Sequence, residues 1–170
     1  MNSLKVSVPS SLQKANLDFG KTPFVEFLTP KMPKIKGSMI YVTRSKKRGR
    51  TIENSSEIDR LLTKSGFEII DTEGMSILDQ ATIFNNSAIV VGVHGAGLTN
   101  LLFHQPGQLS LFEIFHPDFA HPHYRWMAGA YNFAYQAIVG DFSLENGNFQ
   151  LDPIKFKSQL DTFLARVVTQ

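Results

Sequence analysis

From Ser38 onward, short apolar runs alternate with amphipathic stretches. Ser38–Thr43, SMIYVT, is β-branched and aromatic and predicts a strand. Asn54 or Ser55 then caps a helix with Ile58, Leu61 and Leu62 on its apolar face, and Gly66 ends it as a left-handed cap. The pattern repeats. Phe67–Ile70 is a short strand, and Ser76 caps a second helix with Ile77, Ala81 and Phe84 on one face. Ala88–Val93 is small or apolar throughout, as a strand buried on both faces requires. A helix is expected to start after His94-Gly95-Ala96-Gly97. Leu109–Phe115 and Phe133–Val139 read as strands, with a His- and Pro-rich loop at 116–124 and a helix at 125–131 between them. Residues 141–153 read as a loop. Phe156, Leu160, Phe163, Leu164 and Val167 recur at helical spacing and predict the last helix. Residues 1–37 are weakly patterned and broken by Pro9, Pro23, Pro30 and Pro33; they read as a linker or partial segment before one domain at 38–170.

Strands alternating with short helices predict an α/β fold of three layers, αβα, around a mostly parallel sheet. In such sheets ligands bind outside the carboxyl ends of the strands, where the strand order switches. Arg44, His94 and the 116–124 loop all follow predicted strand ends and are expected on one rim.

Composition narrows the function classes. A chain of 170 residues is one domain with ample apolar content for a core. The net charge of +2 gives no reason to expect nucleic-acid binding, and the aromatics are not interleaved with the basic residues. With no cysteine there is no disulfide framework or thiolate site, which suits a reducing cytoplasm. The first twenty residues lack the apolar core of a signal peptide, and no window holds the roughly 18 apolar residues of a membrane span. The expectation is a soluble cytoplasmic protein, with a peripheral position at a membrane left open.

The chemistry concentrates at the glycine turn. A strand running into a glycine-rich helix start leaves backbone N–H groups unpaired at the positive end of the helix, which favours an anion. The spacing of Gly92, Gly95 and Gly97 is neither the dinucleotide fingerprint nor a P-loop, so a phosphate site and a tight strand–helix turn both fit. His94 stands at the strand end, placed to contact a phosphate or the sugar or to act as a general base. Five of the seven residues from Arg44 to Arg50 are basic. Arg44 and Arg50 are the candidates for bidentate phosphate contacts, with Lys46, Lys47 and Arg48 facing solvent. Glu113 lies inside the apolar run LSLFEIF, where a carboxylate needs partners. Asn54 reads as a helix cap, and Gln80 as a hydrogen-bonding link to a neighbouring loop. His116, Asp118, His121 and His123 fall within eight residues, but their spacing matches no common zinc motif and no metal is expected. Tyr124 and Trp126 stand beside this loop, as stacking surfaces or as core.

These residues, in this order, resemble the catalytic domain of glycosyltransferase family 61. The resemblance runs from about Tyr41 to about Val139. It rests on Tyr41-Val42-Thr43-Arg44, on Arg50 with Asn54, on Gln80, on His94-Gly95-Ala96-Gly97-Leu98-Thr99-Asn100, on Pro106-Gly107 and on Glu113. It implies an inverting glycosyltransferase of GT-B type, with this chain as the Rossmann-like C-terminal domain that holds the nucleotide-sugar donor. By that resemblance Gly95, Ala96, Gly97, Leu98, Thr99 and Asn100 cradle the diphosphate, Arg44 and Arg50 are its countercharges, and Glu113 holds ribose hydroxyls. The donor is expected to be a UDP-sugar, the acceptor a glycan or polysaccharide, and no metal cofactor is implied, in keeping with the absence of a DxD motif. The chain has Ser55 where the family usually carries glutamate, and family members are generally longer. A separate acceptor domain or a homodimer would then complete the enzyme. The alternative is a non-catalytic Rossmann-like module that binds a nucleotide or a partner without turnover.

Overall fold

The structure is a computed structural model and describes residues 37–44 and 49–168. The expected linker at 1–37 and the solvent-facing Lys46, Lys47 and Arg48 thus fall outside the described residues, apart from Gly37. Five strands form one parallel sheet: β1 (Ser38–Val42), β2 (Glu68–Ile70), β3 (Ser87–Val93), β4 (Ser110–Phe115) and β5 (Ala134–Val139). Their spatial order is β2-β1-β3-β4-β5. The chain therefore moves one way from β1 to β2 and the other way from β3 to β5, which opens a crevice at the carboxyl ends of β1 and β3. The expected α/β, Rossmann-like architecture is present.

Alternation along the strands builds two cores. Tyr41, Val91, Val93, Phe112 and Ile114 point to one face, under Ile58 and Leu62 of α1 (Ser55–Lys64) and Phe156, Leu160 and Phe163 of the C-terminal helix α4 (Pro153–Val168). Ile40, Val42, Val90 and Leu111 point to the other. That face is covered by Phe84 of α2 (Ile77–Asn85), by Leu98 and Leu101, and by Tyr124, Ala128 and Tyr131 of α3 (His123–Tyr131). No helix among the described residues is long and apolar enough to cross a membrane.

Several local expectations are corrected. The expected helix after His94 is present, and it winds as a 3-10 helix, Ala96–Phe103. Ile77 is exposed in the first turn of α2, while Ala81 and Phe84, the other two predicted positions, are buried in the core. Ser76 does cap α2, accepting from the Asp79 N–H. Asn54 occupies the N-cap position of α1 but makes no side-chain cap. Its amide instead brackets Leu151, donating to the carbonyl at 2.9 Å and accepting from the N–H at 3.2 Å. The 141–153 loop contains a small antiparallel hairpin, β6 (Phe142–Ser143) and β7 (Phe149–Gln150), which buries Phe149.

Candidate active site at the strand switch point

A cleft of about 590 Å³ opens where β1 and β3 end. Thr43 and Arg44 enter it from β1, the 71–75 loop from β2, and His94 to Gly97 from β3. Tyr124 of α3, Gln80 of α2 and Arg50 complete its walls. The predicted convergence of Arg44, His94 and the segment after β4 on one rim is met.

The turn is held by contacts that glycine alone permits. The Gly95 backbone is extended, at φ 165°, so positive φ is not its requirement. A Cβ there would overlap the Arg44 guanidinium, which donates to the His94 carbonyl at 3.2 Å and to the Gly49 carbonyl at 2.8 Å. A Cβ on Gly97 would lie 3.1 Å from Val42 Cγ1. The Tyr124 hydroxyl donates to the Gly95 carbonyl at 2.6 Å and meets Thr99 Oγ1 at 3.2 Å. Burial keeps that phenol above its usual range, so it remains an O–H donor. Asn100 Nδ2 donates to Gln80 Oε1 at 2.8 Å and to the Gly97 carbonyl at 3.1 Å, while Gln80 Nε2 donates to the Met75 carbonyl at 3.0 Å. Gln80 thus ties the turn to the 71–75 loop, as expected of it.

The 3-10 winding changes which amides are free. Its i→i+3 bonds begin with Leu98 N–H to the Gly95 carbonyl at 3.0 Å, one residue earlier than an α-helix would allow. Ala96 and Gly97 keep their N–H groups unpaired among the described residues and line the cleft. Leu98 is buried on Gly92, and Thr99 and Asn100 turn their side chains to Tyr124 and Gln80. These three brace the turn and do not line the cleft.

Behind the turn lies a hydrogen-bonded chain. Glu113 has no exposed surface and sits in register between Gly92 of β3 and Ala137 of β5. Its Oε1 is 2.6 Å from His94 Nδ1, and its Oε2 accepts from the Tyr135 hydroxyl at 2.7 Å. Burial and the Glu113 charge push the Tyr135 phenol well above its usual range. A carboxylate sealed in this way does not reach a ribose. The expected ribose role of Glu113 is therefore replaced by a contact to His94. The His94 ring, 11% exposed, stacks on Phe115 with centroids 5.0 Å apart and meets the edge of Tyr124 at 5.4 Å.

His121 and His123 stand with ring centroids 6.3 and 6.2 Å from that of His94. Among the described residues no group of three His, Cys, Asp or Glu side chains is arranged to hold a metal ion. His116 is buried against Phe119 and Phe149, and Trp126 is half exposed beside His123. Arg50 lies over the Phe119 ring at 5.1 Å and holds φ 55°, a left-handed backbone unusual for arginine. Sequence reasoning missed the 71–75 loop and Tyr135. The loop was findable, since it follows the end of β2 as Arg44 follows β1. Tyr135 carried no signal, because its bond to Glu113 joins two neighbouring strands 22 residues apart in sequence.

The sequence profile of Glycosyltransferase 61 matches residues 6–111. The chain belongs to glycosyltransferase family 61. It is 32% identical over 79 residues to a beta-1,2-xylosyltransferase of Arabidopsis thaliana, a match covering 45% of this chain and 15% of that protein. It is 38% identical over 87 residues to an EGF domain-specific O-linked N-acetylglucosamine transferase of Bos taurus, with 47% and 16% covered. An alpha-1,3-arabinosyltransferase of Oryza sativa subsp. japonica is 35% identical over 85 residues, with 48% and 14% covered. The chain thus spans only 14–16% of these relatives' length. The family 61 match contains Arg44, Arg50 and the whole glycine turn and ends in β4 at Leu111. Glu113, Tyr124 and Tyr135 lie beyond it, and their roles in this family 61 member rest on geometry.

Proposed function

We propose that this chain supplies the donor-binding domain of an inverting glycosyltransferase. It would hold a nucleoside-diphosphate sugar, specifically a UDP-sugar, for transfer to a hydroxyl of a glycan or polysaccharide. The observation that carries the reading is the switch-point cleft, where the unpaired N–H groups of Ala96 and Gly97 share walls with Arg44 and Arg50. Oriented amides and guanidinium groups in such a place stabilise the charge that develops on a departing diphosphate. Asp71 and Glu73, on the opposite lip, offer carboxylate oxygens to ribose or sugar hydroxyls, the task Glu113 is too buried to perform. The relatives' printed names, a xylosyl-, an arabinosyl- and an N-acetylglucosamine transferase, support sugar transfer as the class of reaction. In the GT-B arrangement a second domain, or a second copy of this chain, closes over the rim and brings the acceptor. The charge stabilisation comes from protein groups, so the proposal requires no metal cofactor; a cytoplasmic setting belongs to the same proposal.

Calorimetric titration of the chain with UDP and UDP-sugars, with and without EDTA, tests this. Binding is expected to be metal-independent and to weaken by about 10- to 100-fold in Arg44→Ala and in Arg50→Ala, the effect of losing one charged hydrogen bond of about 1.5–3 kcal/mol. Failure of every nucleotide to bind would sink the donor site and leave the non-catalytic module. Unchanged affinity in both variants would sink the phosphate assignment.

A further inference from the structure

Glu113 is a fully buried carboxylate with two hydrogen-bond partners, His94 Nδ1 at 2.6 Å and the Tyr135 hydroxyl at 2.7 Å. No lysine or arginine pairs with it among the described residues. A carboxylate only accepts, and a phenol has one hydrogen to give. Tyr135 therefore donates to Oε2, and the His94 proton on Nδ1 is donated to Oε1. The stacked Phe115 ring and the edge of Tyr124 hold the imidazole in that orientation. Nε2 is left without a hydrogen-bond partner among the described residues, on a residue that lines the cleft.

We propose that Glu113 and Tyr135 are positioning residues that fix His94 with its proton on Nδ1 and its Nε2 lone pair toward the cleft, making His94 the general base of transfer. This deepens the donor-site reading and rests on it. In the step, the O–H bond of the attacking hydroxyl breaks and its proton passes to Nε2. The hydroxyl oxygen forms a bond to the anomeric carbon from the face opposite the diphosphate. The bond from that carbon to the diphosphate oxygen breaks, and its electron pair leaves with the nucleoside diphosphate. The imidazolium formed is stabilised by the Glu113 carboxylate until the proton passes to water. The turn that carries the diphosphate begins at the next residue, so base and leaving group border one space.

Glu113→Gln is the informative variant, because it keeps the shape and reverses one hydrogen bond. The amide NH₂ then donates to Nδ1 and drives the ring proton to Nε2, which closes the acceptor. Nitrogen NMR of the His94 ring in the full chain is expected to show the Nδ1–H tautomer in the wild type and the Nε2–H tautomer in E113Q. Thermal melts establish that E113Q and Y135F are folded. UDP-sugar affinity is expected to stay within about threefold in E113Q, since Glu113 does not line the cleft, whereas transfer of the sugar to water or to an added acceptor, read as UDP released, falls by about 10²–10⁴-fold. Tyr135→Phe removes one neutral donor, keeps the wild-type tautomer and lowers the rate by about fivefold. An Nε2–H tautomer in the wild type overturns the proposal. So does a chain that binds UDP-sugar but releases UDP no faster than E113Q does. If the wild type binds no nucleotide while the NMR shows the expected tautomers, it is the donor-site reading that has failed, and the positioning of His94 stands.

Discussion

Replacing Gly95 by alanine puts a methyl group where the Arg44 guanidinium now lies. The backbone is extended at that residue, so the substitution carries no φ penalty. The obstructing atom, Nη1, is the tip of a flexible arm, so it swings aside and leaves its bond to the His94 carbonyl. The cost is then about 1–2 kcal/mol, the worth of a part-buried charged hydrogen bond. Arg44→Ala alone also loses the bond to Gly49 and costs about 2–3 kcal/mol. Once Arg44 is gone, the next neighbour of an alanine Cβ at position 95 is the Val93 carbonyl at 3.8 Å, an ordinary contact. Gly95→Ala should therefore cost almost nothing in the Arg44→Ala background, giving a coupling of about 1–2 kcal/mol. Urea unfolding of the wild type, the two single variants and the double variant measures this cycle. Equal costs of Gly95→Ala in both backgrounds, within about 0.5 kcal/mol, would refute the idea that the glycine exists to admit the arginine.

Gly92 presents the contrasting case. A Cβ there lies 2.5 Å from Cδ2 of the buried Leu98, which has nowhere to go, so Gly92→Ala should destabilise by about 1–3 kcal/mol in the same assay. Gln80→Ala should cost about 1–2 kcal/mol and speed amide hydrogen exchange selectively in the 96–103 helix, because it severs the link from Asn100 to Met75. All four tyrosines, Tyr41, Tyr124, Tyr131 and Tyr135, are held by burial above the ordinary phenol value of 10.0. Above that pH the folded chain keeps protons the unfolded chain has lost, so stability is full below pH 10.0 and falls as pH rises further. Phenolate absorbance and circular dichroism should change together in an alkaline titration; phenolate appearing near pH 10.0 in a chain still folded would contradict this.

Much of the fold was legible because its signals are local. A run as short as Ala88–Val93, rich in β-branched residues and followed by a glycine turn, reads as a buried strand, the apolar spacing of Phe156, Leu160 and Phe163 reads as a helix, and strand–helix alternation points to a parallel sheet. Strand ends in such a sheet share one rim, so Arg44 and His94 could be brought together from sequence. The small hairpin at 142–150 was not legible, since strands of two residues carry no period.

The sequence by itself determined the element order, the rim and the glycine turn, because hydrophobic period and glycine spacing act over a few residues. Tertiary structure decided what each polar group does. Asn54, a cap by its position, is spent on Leu151, 97 residues away in sequence. Glu113, a ribose contact by the family resemblance, lies buried in register with Gly92 and Ala137 and serves His94. The glycine turn winds as a 3-10 helix, so fewer of its amides face the cleft than an α-helix would offer. Each outcome depends on which strand lies beside which and on how tightly a turn packs against its neighbours. Those relations join residues far apart in the chain, and no local pattern encodes them.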